Sequence, residues 1–174
     1  GAGLLAYKMG LPVKNFVAAT NANDTVPRFL NSGKYEPKPS VQTLANAMDV
    51  GNPSNWVRIQ DLFDHDLSAL QHLIRTYTYN DEETLKGVQE IYDKYAYVAC
   101  PHTAIAYLAA KAHREEYPGT YASVLLSTAH PCKFPDAIPA DVFQHVQLPV
   151  GAEHFDSKEK QAISMSANYD TFKQ

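Results

Sequence analysis

Cysteine is scarce in this chain. Cys100 and Cys132, among 174 residues, are too few for a disulfide framework and suit a reducing compartment. Basic blocks are missing too: 15 Lys+Arg stand against 19 Asp+Glu, the formal charge is -4, and no stretch offers a nucleic acid an electrostatic footprint. No apolar run reaches membrane-spanning length, because charged or turn residues interrupt each candidate early. The opening residues 1–8 (GAGLLAYK) lack a basic region before their apolar part, and Lys8 and Gly10 cut that part short, so they do not form a signal peptide. Neither a Gly-x-x-x-x-Gly-Lys phosphate loop nor a Gly-x-Ser-x-Gly elbow occurs, and there is no internal repeat. With 45% hydrophobic and 20% charged residues, the composition is that of one cytoplasmic domain with a core, bound neither to nucleic acid nor to membrane.

Local patterns give an order of elements. Leu4 and Leu5 share a helical stripe that stops at Gly10 and Pro12. A helix that begins at the first residue with no cap before it leads us to expect a fragment of a longer protein. Residues 15–20 read as a short buried strand, and Asp24 as the cap of a helix that runs through Leu30 to Gly33. Asn52 then caps a helix with Pro53 at its first position and Trp56, Ile59, Gln60 and Phe63 on one face. Leu67, Leu70, Leu73 and Ile74 mark the next helix, and Tyr77 and Tyr79 a short strand. Asn80 to Glu83 resembles a capping box that opens a further helix. Residues 95–100 and 121–127 read as buried strands, with an Ala-rich helix from Thr103 to about Glu116 between them. Residues 140–146 suggest a helical piece, and 156–159 a cap for a last helix near Met165. This alternation predicts an α/β fold, three layers with a mostly parallel sheet.

The polar loops 21–24, 49–55 and 127–133 are the places for chemistry, because a parallel sheet gathers strand ends at one crevice. Capping alone explains Asn21, Asp24, Asn52 and Asn55. Thr128 differs: it ends an apolar run with no helix close enough to need it as a cap. Its hydroxyl is placed either to hold a ring nitrogen of a ligand or to bond a neighbouring backbone group. Cys100, His102, His130 and Cys132 form two Cys/His pairs that could face each other as a zinc-binding or hydrolytic site, or serve as buried Cys and satisfied loop His.

Residues 4–13 (LLAYKMGLPV), 18–30 (AATNANDTVPRFL), 46–55 (NAMDVGNPSN), 101–107 (PHTAIAY) and 127–134 (STAHPCKF) carry a resemblance, in order and in register. They resemble the C-terminal portion of the threonine synthases, which belong to the fold-type-II enzymes that use pyridoxal phosphate. The resemblance implies that residues 1–135 are the C-terminal part of a catalytic domain and that 136–174 are an extension. It also implies an activity in the full-length enzyme: a carbon–oxygen lyase reaction that turns O-phospho-L-homoserine and water into L-threonine and phosphate. The cofactor supplies an electron sink, and the family assigns the proton transfers largely to the lysine that holds it. That lysine and the cofactor-phosphate loop lie upstream in the family, and none of Lys8, Lys14, Lys34, Lys38 or Lys133 stands in a matching context. The expectation is therefore an inactive fragment whose partner is the missing N-terminal part, with no catalytic residue of its own. Carried over by motif, Thr128 partners the cofactor's pyridine nitrogen, Gly51, Asp49 and Asn52 border its ring, and Asn21 faces the substrate.

Overall fold

A computed structural model describes residues 1–152, 158, 159, 161–166 and 168–173. The chain opens with helix α1 (Ala2–Lys8), then strand β1 (Phe16–Thr20) and helix α2 (Thr25–Ser32). Gly33 stops α2 in the left-handed region, at φ 74°, where a side chain would be strained. Helices α3 (Trp56–Leu62) and α4 (Leu67–Leu73) follow, and α4 passes directly into strand β2 (Ile74–Thr78). Helices α5 (Asp81–Tyr95) and α6 (Pro101–Glu116) come next, with the short α7 (Ala140–Phe143) and α8 (Tyr169–Phe172) last.

The sheet is a parallel pair, with Phe16 opposite Ile74 and Thr20 opposite Thr78. Their shared end is tied further by Tyr79 N–H donating to Thr20 O at 3.0 Å and by the two threonine hydroxyls at 3.0 Å. Helix α6 packs across both strands, while α2 and α4 pack on β2. Alternation along β1 sends Phe16 and Ala18 to one side, into a core of Leu4, Phe29, Trp56, Phe63, Leu70 and Ile74. A second core joins Val88 and Ile91 of α5 to Ala104 of α6 and to Phe134, Ile138 and Val142. Gly87 lets the two helices meet, since a Cβ there would lie 2.9 Å from Leu108 Cδ1.

The capping box is present in full. Asn80 Oδ1 accepts from Glu83 N–H at 2.9 Å, and Glu83 Oε2 accepts from Asn80 N–H at 2.8 Å. Asp66 caps α4 by accepting from Ala69 N–H. Other expectations need correction. Asp24 precedes α2, but its carboxylate accepts from Arg28 Nε at 2.8 Å instead of capping. Asn52 does not cap α3, which starts three residues after Pro53; its Oδ1 accepts from the Tyr35 hydroxyl at 2.9 Å. Pro101 is the first residue of α6, not merely the end of a strand. Residues 95–100 and 121–127 are not strands, because a strand exists only through its ladder. Among the described residues, 97–99 and 118–129 make no backbone–backbone hydrogen bond. Two strands therefore make up the sheet of the described residues, and the α/β class and parallel pairing stand. The expected helix of 140–146 is reduced to α7, the cap expected at 156–157 lies outside the described residues, and the last helix begins at Tyr169 rather than near Met165.

Candidate functional site at the strand ends

Both strands of a parallel pair point their carboxyl ends the same way, and here the chain leaves them as Asn21 and as Tyr79–Asn80. Between these exits lies a concavity of about 340 Å³, lined by Ala22, Val41, Gln42, Thr43, Asn80, Asp81 and Glu82. On residues 21–25, which lead from β1 into α2, Asn21, Asn23 and Thr25 are each bonded to the loop between α2 and α3. Asn21 Nδ2 donates to Asp49 Oδ1 at 2.9 Å and to Thr43 Oγ1 at 3.0 Å. Asn23 pairs with the Val41 backbone through two bonds, donating from Nδ2 to the carbonyl at 2.9 Å and accepting from the N–H at 2.8 Å. The Thr25 hydroxyl donates to Gly51 O at 2.7 Å. Leu44 N–H donates to Asp81 Oδ1 at 3.0 Å, so the same loop also reaches α5.

Gly51 is buried where the loop closes on itself. A Cβ there would lie 2.0 Å from Lys38 O, and Gly51 N–H donates to Ser40 Oγ at 3.0 Å. The structure thus brings Asn21, Asp49 and Gly51 into one hydrogen-bonded unit, with the exposed Asn52 beside it. Thr128 stands apart from that unit. It is exposed, and no hydrogen bond among the described residues reaches its hydroxyl. Its neighbour Ser127 is occupied instead, with Oγ 3.1 Å from Thr103 Oγ1 and 3.3 Å from the Tyr97 hydroxyl. Reading the sequence alone misses Asn23 and Thr43. The alternation Asn21-x-Asn23-x-Thr25 was an available signal for Asn23, whereas nothing local marks Thr43.

Cys100 opens α6, with Sγ 3.2 Å from Thr103 Oγ1 and 4.0 Å from His102 Nδ1. Burial pushes its thiol up, but the His102 and Thr103 hydrogen bonds outweigh this and bring it down to about 7. The structure lends the zinc alternative no support. Among the described residues no three His, Cys, Asp or Glu groups come together as a metal site. His102 packs edge-on against Phe134, its ring centroid 5.2 Å away, and His130 Nδ1 accepts from Cys132 N–H at 3.3 Å.

The description "Pyridoxal-phosphate dependent enzyme" matches residues 1–129. The chain belongs to that family. A second family model, "Threonine synthase, C-terminal", matches residues 103–174. The threonine synthase of Serratia marcescens is 46% identical over 148 residues, which is 85% of this chain and 33% of that protein. The crystal structure of threonine synthase from Escherichia coli aligns with TM-score 0.70 at 42% identity, over 85% of this chain and 33% of that one. The pyridoxal-phosphate-bound threonine synthase of Brucella melitensis aligns with TM-score 0.77 at 30% identity, over 91% and 39%. The chain therefore spans about a third of the length of the relatives it matches. The match to a pyridoxal-phosphate family supports that cofactor, as the motifs led one to expect. Among the described residues, no helix is long and apolar enough to cross a membrane.

Proposed function

We propose that this chain forms the C-terminal third of a cytoplasmic threonine synthase of fold type II, which converts O-phospho-L-homoserine and water into L-threonine and phosphate. One observation carries the reading: 85% of the chain matches a threonine synthase in sequence and in fold together, at 42% identity and TM-score 0.70. In this reading, residues 1–135 complete the catalytic domain and 136–174 extend it. The partner is the upstream part of the same enzyme.

The residues present fit one side of the cofactor. Thr128 offers a hydroxyl with no hydrogen-bond partner among the described residues, exposed at the end of an apolar segment. A neutral hydroxyl holds the pyridine nitrogen without enforcing its protonation as a carboxylate would. Gly51 and Asn52 stand on a turn held rigidly by Lys38, Ser40 and Thr25, suited to a wall beside a flat ring. When bound, the cofactor supplies the electron sink that elimination of phosphate requires. This chain's own contribution is to bind and orient, since its lysines lie in contexts unlike that of the cofactor-holding lysine.

The experiment is a fusion of the upstream part of the Escherichia coli threonine synthase to this chain, compared with the chain alone. The fusion is expected to bind pyridoxal phosphate, read by absorbance, and to release phosphate from O-phospho-L-homoserine; the chain alone does neither. A cofactor-free, inactive fusion refutes the reading. In an active fusion, Thr128→Ala should change the cofactor's absorbance and lower kcat.

A further inference from the structure

We infer that Asp49 is a positioning residue: it latches the loop of residues 36–52 onto the segment after β1 and so fixes one wall of the substrate site. The inference rests on the threonine synthase reading for the identity of the substrate, but the latch itself is a property of this chain.

Asp49 receives three hydrogen bonds and a share of a fourth. Its Oδ1 accepts from Asn21 Nδ2 at 2.9 Å and Thr43 Oγ1 at 2.7 Å, and its Oδ2 accepts from Thr43 N–H at 2.9 Å; Asn23 Nδ2, whose two hydrogens also serve Val41 O and Asn21 Oδ1, lies 3.1 Å from Oδ1. Every partner is a donor, so the position requires a group that only accepts, which is an ionised carboxylate. An amide of the same shape would aim an NH₂ group at donors whichever way it turned. No Lys or Arg lies in salt-bridge contact with Asp49 among the described residues, so dipoles alone hold the charge.

Asn21 is committed to the same latch. Its Nδ2 serves Thr43 and Asp49, while its Oδ1 accepts from both the N–H and the Nδ2 of Asn23, at 2.9 and 3.0 Å. With 7% of its surface exposed, its side chain retains no free polar atom with which to meet a substrate. Asn21 therefore acts through the loop rather than on the ligand, and Asp49, whose Oδ1 is taken up by the same contacts, holds that loop to it. What they fix is Val41, Gln42 and Thr43, which form one side of the concavity at the carboxyl ends of the strands. That is where open α/β sheets hold their ligands. Through Thr25 and Gly51 the same contact holds the turn that leads to Asn52.

The test has two arms. In the 174-residue chain, Asp49→Asn should speed amide hydrogen exchange across residues 41–51 by about tenfold or more, while α5 keeps its protection. Unchanged exchange in the loop overturns the latch. In the fusion with the Escherichia coli upstream part, Asp49→Asn should raise KM for O-phospho-L-homoserine by about tenfold, with kcat within about threefold of the parent. A fall in kcat at unchanged KM overturns the positioning role, because it shows only loss of active protein. Thr43→Val removes one donor and keeps the backbone bond, so it should give a smaller shift of the same kind should Asp49→Asn fail to fold. Equal parent and Thr43→Val KM values would then overturn the proposal. An inactive parent fusion refutes the threonine synthase reading and leaves the exchange arm to decide the latch.

Discussion

Replacing Gly51 by Ala tests the loop geometry most directly. The added Cβ would stand 2.0 Å from Lys38 O, a backbone atom, so the two arms of the loop must part. Parting them breaks the Gly51 N–H bond to Ser40 Oγ and the Thr25 hydroxyl bond to Gly51 O. The first is an ordinary bond, with a net contribution of about 1 kcal/mol. The second, at about 1–3 kcal/mol, leaves the Thr25 O–H without an acceptor on a residue that is 2% exposed, although its oxygen still accepts from Arg28 Nη2. The loss should therefore total about 2–4 kcal/mol, or about 4–16 °C in melting temperature for a chain of this size. Urea unfolding of Gly51→Ala, with Gly119→Ala as control, measures it. A Cβ at Gly119 meets only the Tyr121 ring at 3.8 Å, an ordinary contact, so the control should stay within about 0.5 kcal/mol of the parent. If the two variants unfold at the same urea concentration, the close approach of Gly51 to Lys38 does not exist in solution.

Three further outcomes follow from the packing and the charges. Leu70→Ala, at a site 1% exposed between α2 and β2, should cost about 2–5 kcal/mol in the same urea assay, since the surrounding helices cannot collapse fully into the space. Asn80→Ala removes one half of the capping box and should cost about 1 kcal/mol, with faster hydrogen exchange confined to the first turn of α5. Glu90 accepts from Lys94 and Lys111 and from the Tyr107 hydroxyl, and these bonds, Lys94 first, hold its carboxyl down to about 2. A depressed carboxylate stabilises the fold above its unfolded value near 4.5 and loses that contribution as pH falls towards 2. Unfolding free energy should therefore decline across that window, and Glu90→Gln should flatten the decline; an unchanged slope would remove Glu90 from the linkage between α5 and α6.

What the sequence made legible was whatever a few neighbouring residues decide. The capping box of α5 needs only Asn80 and Glu83, three positions apart, and both bonds are present. The face of α3 and the stop at Gly33 are equally local, and they too are as expected. Caps fail where another partner competes: Asp24 turns to Arg28 four positions on, and Asn52 to Tyr35 seventeen positions away. The same competition hid the latch. Asn21 and Asp49 were visible as polar residues in promising loops, but the bond between them spans 28 positions, and no periodicity encodes it.

The two unrealised strands show the other limit. An apolar run states that a segment suits burial, and it cannot state what will cover it. In residues 121–127 the run is real, yet Val124 is 85% and Leu126 72% exposed, and the segment makes no ladder bonds. Burying two such side chains is worth about 1.5–3 kcal/mol each, so their exposure sets local propensity against tertiary structure. Nothing within the described residues resolves that conflict, because β1 and β2 pair with each other and α6 lies across both. Among the described residues this apolar run has no partner strand. In the proposed reading, the Thr128 hydroxyl at the end of that segment, with no hydrogen bond among the described residues, is available to the cofactor, while the Asn21 side chain has no polar atom to spare.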